Sequence, residues 1–251
     1  MCLIGVAYNV AENAPLIVTA NRDEFYERHT APARFWMESP EIAAGKDMVR
    51  GGTWMGVTRA GRFAAVTNYR DPNDQTPNLI SRGELVINFL EGSISSKNYA
   101  EVLLSKGSQT RGYNMLLFDG AALVWMSNRT SEFKELTPGI YGLSNALLDT
   151  PWPKVQRTKE RLTELVRGNN ISLYTLLEIM QDRSKPHDTE LPNTGVGIEW
   201  ERHLSSPFIC APGYGTRSSS ALIIRQDHWH FAERSFHANG ELKGEVLLNS
   251  L

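Results

Sequence analysis

Met1-Cys2-Leu3-Ile4-Gly5-Val6-Ala7-Tyr8 and Leu16-Ile17-Val18-Thr19-Ala20 are two short apolar runs separated by a polar turn that contains Pro15. Two such runs joined by a few turn residues read as a β-hairpin. Neither run alternates apolar with polar residues, so each face of the sheet is expected to be covered. Working outward, Gly51-Gly52-Thr53-Trp54-Met55-Gly56-Val57-Thr58 and Phe63-Ala64-Ala65-Val66-Thr67-Asn68-Tyr69 read as a second strand pair. Residues 113–118 and 122–126 form a third pair, hinged at Asp119-Gly120, a favoured hairpin turn. Residues 219–224, 229–234 and 245–248 close the chain as strands.

Helices separate these groups. Ser81-Arg82-Gly83-Glu84 has the capping-box pattern, and the helix after it buries Leu85, Val86, Phe89 and Leu90. A second starts near Ser95-Ser96, presents Tyr99, Val102, Leu103 and Leu104, and stops at Lys106-Gly107. Pro153 opens a third, which ends by Gly168. Ser172 caps a fourth, with Leu173, Leu176, Leu177 and Met180 on one face. Residues 26–50 show little periodicity, 70–77 read as a loop, and 183–202 as a long polar loop. Hairpins require mainly antiparallel sheets, and doubly covered strands require layers on both sides. The expectation is an α+β protein with two stacked sheets between helix layers, one domain over residues 1–251.

The chain has 251 residues, 41% hydrophobic and 22% charged, with a formal charge of −2, and no basic run of five or more. That balance gives no electrostatic footprint for nucleic acid. No apolar stretch approaches the roughly 18 residues that span a membrane. The first apolar run lacks the basic flank of a secretory leader and is expected to be a buried strand, so the expected compartment is the cytoplasm. Two cysteines, Cys2 and Cys210, are too few for a disulfide framework. Cys210, between Ile209 and Ala211, is expected to be a packing residue, and His29 and His187 surface residues. His228-x-His230 puts two imidazoles on one strand face with no third ligand at supporting spacing, so no metal or other cofactor is expected.

Cys2 admits two readings. Cysteine is among the most buried residue types and often serves as a small hydrophobe. Yet a residue this small lets the initiator methionine be trimmed, which would leave thiol and free α-amine on one Cα. An amine of pKa about 7.7–8.0 beside a thiol of about 8.5 is a nucleophile with its own proton acceptor. Asn21-Arg22-Asp23-Glu24 follows the second strand, where it would either form a solvated turn or sit beside Cys2, with Arg22 lowering the thiol pKa. Asn68, Asn114 and Asn145 lie at strand ends, where an amide can donate to a developing oxyanion or simply end a strand. Arg217, between small residues before a strand, suits a substrate carboxylate or an active-site acid.

Taken together, Met1-Cys2, the quartet 21–24, Gly51-Gly52-Thr53-Trp54 with Gly56, Thr67-Asn68-Tyr69-Arg70, Gly142-Leu143-Ser144-Asn145 and Gly215-Thr216-Arg217 resemble the NRDE family. That family includes the transport-and-Golgi-organisation protein 2 homologues, and the resemblance runs over nearly the whole chain. It is similar in turn to the N-terminal nucleophile hydrolases, above all the cysteine amidases with penicillin V acylase, bile salt hydrolase and acid ceramidase. The resemblance implies a four-layer αββα sandwich. It also implies Cys2 as nucleophile, Asn145 and Asn68 as oxyanion donors, and Arg217 as a late active-site arginine. The amidases follow their second strand with an arginine and, three residues on, an aspartate before an aromatic. Here Asn21, Glu24 and Phe25 hold that spacing, so the acid is kept as glutamate, and either Asn21 replaces the arginine or Arg22 takes its role after a one-residue slip.

The expected function is therefore a cysteine amidohydrolase acting on an amide or thioester of a small or lipophilic acid. Asn21, Asp23, Trp54 and Trp152 would line the substrate pocket. The alternative is a non-catalytic binding or transfer protein that uses the same cleft for an apolar, haem or acyl-CoA-like ligand. A purely structural role has no positive feature in the sequence.

Overall fold

The hairpin forms as expected but is longer. In the computed structural model, which describes residues 2–77, 79–107 and 109–251, β1 (Cys2–Ala11) pairs antiparallel with β2 (Ala14–Phe25). The quartet 21–24 thus lies inside β2 rather than beyond it. Met1, expected from the sequence to be trimmed, is outside the described residues.

The chain continues through β3 (Thr30–Phe35), β4 (Ile42–Asp47), β5 (Met55–Thr58) and β6 (Phe63–Asn68), then α1 (Arg82–Glu91) and α2 (Ser96–Ser105). Next come β7 (Tyr113–Phe118), β8 (Leu123–Ser127), β9 (Glu132–Glu135) and β10 (Gly139–Leu143), followed by α3 (Pro153–Arg167) and α4 (Leu173–Ile179). A 3-10 turn at Asp188–Glu190 and the short α5 (Ile198–His203) occupy the stretch expected to be loop. The chain ends with β11 (Cys210–Ala211), β12 (Tyr214–Ile224), β13 (Trp229–Phe236) and β14 (Leu242–Asn249). One seven-stranded sheet runs β10-β1-β2-β12-β13-β14 with β11 beside β12; the other runs β3 to β9 in sequence order.

Three apolar clusters define the layers. Ile4, Val6, Val18 and Leu222 of the first sheet meet Ala43, Val57, Phe63 and Leu116 of the second. Val86, Phe89 and Tyr99 of α1 and α2 cover the outside of the second sheet through Ala64, Met115 and Val124. Leu162, Leu176 and Leu177 of α3 and α4 cover Leu3, Ile17 and Ala221 of the first. The order is helices, sheet, sheet, helices: an αββα sandwich, as expected. α3 comes close because β10 offers Gly142 below it; a Cβ there would sit 2.6 Å from Val155 Cγ1.

Five strands escaped the sequence reading: β3, β4, β9, β10 and the two-residue β11. β3 and β9 are sheet edges and mostly solvated, so they lack a continuous apolar run. The expected capping box at Ser81 does not form, since its side chain makes no cap bond; the box forms at Ser172 with Thr175. Of the second helix, Tyr99 is buried as expected while Val102 is exposed. Cys210 is likewise exposed, because the two-residue β11 lies at the sheet's margin, and both cysteines are free thiols.

Candidate functional site

Strand alternation decides which site residues meet. On β1, Leu3 and Ala7 face the helices, so Cys2, like Ile4 and Val6, faces the space between the sheets. Arg22 is the register partner of Cys2 on β2, and Ser218 of β12 is the partner of Arg22. Nucleophile candidate, arginine and serine therefore form one row on the inner face. Asn21 alternates to the other face. There it donates to the Met180 and Pro207 carbonyls, both at 2.8 Å, and accepts from Ser219 Oγ at 2.5 Å. It ties β2 to the helix layer rather than lining a pocket with Cys2. Asp23 accepts from Thr216 Oγ1 at 2.7 Å and also borders the Cys2 cavity.

That cavity has a volume of about 140 Å³, and Cys2, Arg22, Asp23, Glu24, Trp54 and Asn68 of the expected set line it. Cys2 is 8% exposed. Burial pushes its thiol pKa up, Asp23 adds to that rise, and Arg22 opposes it. The thiol is thus held protonated at neutral pH and needs a base to become a nucleophile. The Arg22 guanidinium lies over the Trp54 ring, 4.5 Å from its centroid. Its Nη2 is 3.5 Å from Asp47 Oδ2, and the same oxygen accepts from Arg28 Nε at 2.6 Å. Glu24 stands 3.8 Å from Arg28. Arg28 and Asp47 come from the stretch read as aperiodic; the run Ile42-Ala43-Ala44 of β4 ahead of Asp47 was the available signal.

Asn145 does not line the cavity but is tied to it. Ser144 Oγ donates to the Cys2 carbonyl at 3.1 Å and contacts Asn145 Oδ1 at 3.3 Å, while Asn145 Nδ2 donates to the Asn68 carbonyl at 2.9 Å. Arg217 is placed elsewhere than expected. It sits at a β-bulge, stacks over Tyr26 and donates to the Tyr26 carbonyl at 2.7 Å. It does not line the Cys2 cavity and borders instead a small cavity shared with Ser218, Trp54 and Glu233. Trp152 is also elsewhere, beneath Arg70 at 4.7 Å from guanidinium carbon to ring centroid.

Trp152 belongs to a buried charged cluster absent from the sequence expectations. Arg70 Nη1 and Glu201 Oε2 are 2.8 Å apart, with both side chains about 5% exposed or less. Lys154, in the first turn of α3, is buried, its ammonium makes no hydrogen bond among the described residues, and burial together with Arg70 brings its pKa down to about 8. The signal for Lys154 was its place after the Pro153 helix start, where a lysine must either reach solvent or be buried by the sheet. Among the described residues no group of three or more His, Cys, Asp and Glu could hold a metal ion. His228 and His230 do meet, with ring centroids 5.0 Å apart. A larger hollow of about 570 Å³ lies at the other end of β1, among the turns holding Asn13, Gly61 and Asp227, and has no thiol.

A family model described as transport and Golgi organisation 2 matches residues 1–238. The chain belongs to the transport and Golgi organisation 2 family. It is 36% identical to the cattle (Bos taurus) transport and Golgi organization protein 2 homolog, over 98% of this chain and 97% of that protein. To the human homolog it is also 36% identical, over 94% and 93%. The Drosophila melanogaster protein is 26% identical over 88% of this chain and 86% of its own.

Among solved structures, this family member resembles a Caenorhabditis elegans N-acylethanolamine-hydrolyzing acid amidase ortholog. The TM-score is 0.54 at 10% identity, covering 98% of this chain and all of the other. It also resembles the C2A mutant of a conjugated bile acid hydrolase from Clostridium perfringens, with TM-score 0.52 at 9% identity, covering 99% and 92%. The fold is that of the N-terminal nucleophile hydrolases. No helix among the described residues is long and apolar enough to cross a membrane.

Proposed function

We propose that the protein is a cysteine amidohydrolase that cleaves an amide or thioester of a small or lipophilic acid. The observation that carries this reading is the position of Cys2. It is the first residue of a central strand, opens on a polar cavity between the sheets, and stands across from Arg22 in register. The sharing of this fold with an acid amidase and a bile acid hydrolase supports it.

Trimming Met1 would give Cys2 a free α-amine. Because burial raises the thiol pKa, a base on the same residue is the shortest route to a thiolate. The amine takes the thiol proton, and the thiolate attacks the carbonyl carbon to give a tetrahedral oxyanion. Asn68, which lines the cavity, offers its side-chain amide to the oxyanion, and Asn145 positions that residue by donating to its carbonyl. Collapse breaks the bond to the leaving group, which takes the proton from the ammonium. Water, deprotonated by the amine, then releases the acid and restores the thiol. Arg22 orients the substrate beside the thiol, and Trp54 fixes the arginine.

Three forms of the protein test this: wild type, Cys2→Ser, and a form in which Met1 is retained. Turnover of a chromogenic anilide and a thioester panel is expected only in the first, with its mature mass showing Met1 removed. Equal turnover in all three would refute the mechanism. A ligand-transfer role finds less support, since a 140 Å³ cavity with seven charged residues among its fifteen lining residues is smaller and more polar than the roughly 300–1,000 Å³ apolar pockets of large ligands.

A further inference from the structure

We propose that the Cys2 cavity holds a compact anionic group, a carboxylate or a phosphate, between the N-terminus of α1 and Arg22. This rests on reading the cavity as the substrate site. It makes the substrate an acidic amide or thioester, with its charge on the side of the scissile carbonyl that faces α1.

Two independent features converge. Ser81, Arg82 and Gly83 line the cavity, and α1 begins at Arg82. Ser81 is the N-cap but makes no side-chain cap bond; its carbonyl takes the Glu84 amide at 3.0 Å, which leaves the Arg82 and Gly83 amides, among the described residues, to another acceptor. First-turn amides and the positive end of the helix dipole suit an anion. Gly52 and Gly83 bring the two backbones together here: a Cβ on Gly52 would sit 2.6 Å from the Gly83 carbonyl carbon. Any larger residue would push the 51–53 loop off the start of α1 and open this wall of the cavity.

The second feature is Arg22. Its side chain is 5% exposed, it lines the cavity, and its Nη1 has no hydrogen-bond partner among the described residues. A buried guanidinium nitrogen without an acceptor is costly, and a bidentate carboxylate or phosphate is the partner it fits.

Charge agrees. Four arginines (22, 28, 50 and 82) face three carboxylates. Those carboxylates are engaged, Asp47 with Arg28 and Arg22, Glu24 with Arg28, and Asp23 with Thr216. Among the described residues the Arg82 guanidinium reaches only the Gly112 carbonyl, at 3.4 Å.

Alkylation tests this without requiring turnover. Iodoacetate and iodoacetamide each alkylate a thiolate with loss of iodide, but only iodoacetate is an anion. Rates at Cys2 are followed by peptide mass spectrometry, and the exposed Cys210 serves as the internal reference. The iodoacetate-to-iodoacetamide ratio is expected to be about tenfold higher at Cys2 than at Cys210, and to fall about fivefold in Arg82→Gln. Inorganic phosphate should slow alkylation of Cys2 alone. It should also raise the melting temperature of wild type more than that of Arg82→Gln, a readout that stands even if Cys2 reacts slowly.

Arg50→Gln, on an exposed residue, gives a second variant should the first fold poorly; it should lower the ratio in the same direction. Equal ratios at both cysteines, with no protection and no phosphate-dependent melting shift, would overturn the site. An anion preference in a protein without hydrolase activity supports the site and overturns the hydrolase reading. Turnover of acidic and neutral substrates alike, with no preference, overturns the site alone.

Discussion

Glu233→Gln should stabilise the protein at alkaline pH and leave it unchanged in acid. Glu233 is 2% exposed and faces the apolar space between the sheets, beside Phe231. Its carboxyl accepts from the Ala33 amide across the sandwich at 2.8 Å and from Ser220 Oγ at 3.4 Å. Those two bonds do not offset the lost hydration, and burial lifts the pKa from 4.5 to about 7. A carboxyl with a raised folded-state pKa contributes its full stability below pH 4.5, where both states are protonated. That contribution falls as pH rises from there through about 7. Above that range the ionised group costs roughly 3 kcal/mol relative to a neutral isostere, at about 1.4 kcal/mol per tenfold change in proton affinity.

Glutamine keeps the acceptor for Ala33 and cannot ionise. Urea unfolding at pH 5 and pH 8 should therefore show variant and wild type close together at the lower pH and separated by roughly 3 kcal/mol at the higher. In a thermal melt at pH 8 the separation is about 6–12 °C for a chain of this size. A stability difference that does not change between the two pH values would refute the reasoning, since lost or gained packing alone has no pH dependence.

Asn21→Ala should cost about 2–4 kcal/mol, because it strands the buried Met180 and Pro207 carbonyls and Ser219 Oγ. It should leave alkylation of Cys2 unchanged, which chemical denaturation and mass spectrometry together would check. Glu201→Ala should cost about 3–5 kcal/mol by leaving Arg70 charged and buried. The same carboxylate accepts from Thr194 amide and hydroxyl, at 2.7 and 2.6 Å, so limited proteolysis should accelerate within residues 183–202.

Much of the fold was legible because most central strands are covered on both faces and so read as continuous apolar runs. Helix α1 was read down to its four buried residues, Leu85, Val86, Phe89 and Leu90, since a single apolar stripe faces the second sheet. β4 is built on Ile42-Ala43-Ala44-Gly45, with a single large apolar residue, and Gly45 makes room for Trp54, whose ring lies where a Cβ on Gly45 would be. Such a strand is recognisable only when its neighbour is known.

The site divides along the same line. The sequence by itself determined the β1–β2 hairpin and so put the quartet 21–24 within reach of Cys2, leaving open a solvated turn. The extension of β2 through the quartet and the period of two then set Cys2 and Arg22 on one face. The same alternation sends Asn21 to the opposite face, although a motif read as a string treats the quartet as one group. Only the tertiary structure decided what surrounds them. Asp47, Trp54 and the start of α1 belong to the other sheet and its helix layer, and they reach Cys2 because the two sheets stack. Stacking is driven by non-directional burial of apolar surface, which sets which layers meet. Which polar groups are carried to the rim is then fixed by side-chain packing and by close approaches such as Gly52 to Gly83, and no local pattern records that.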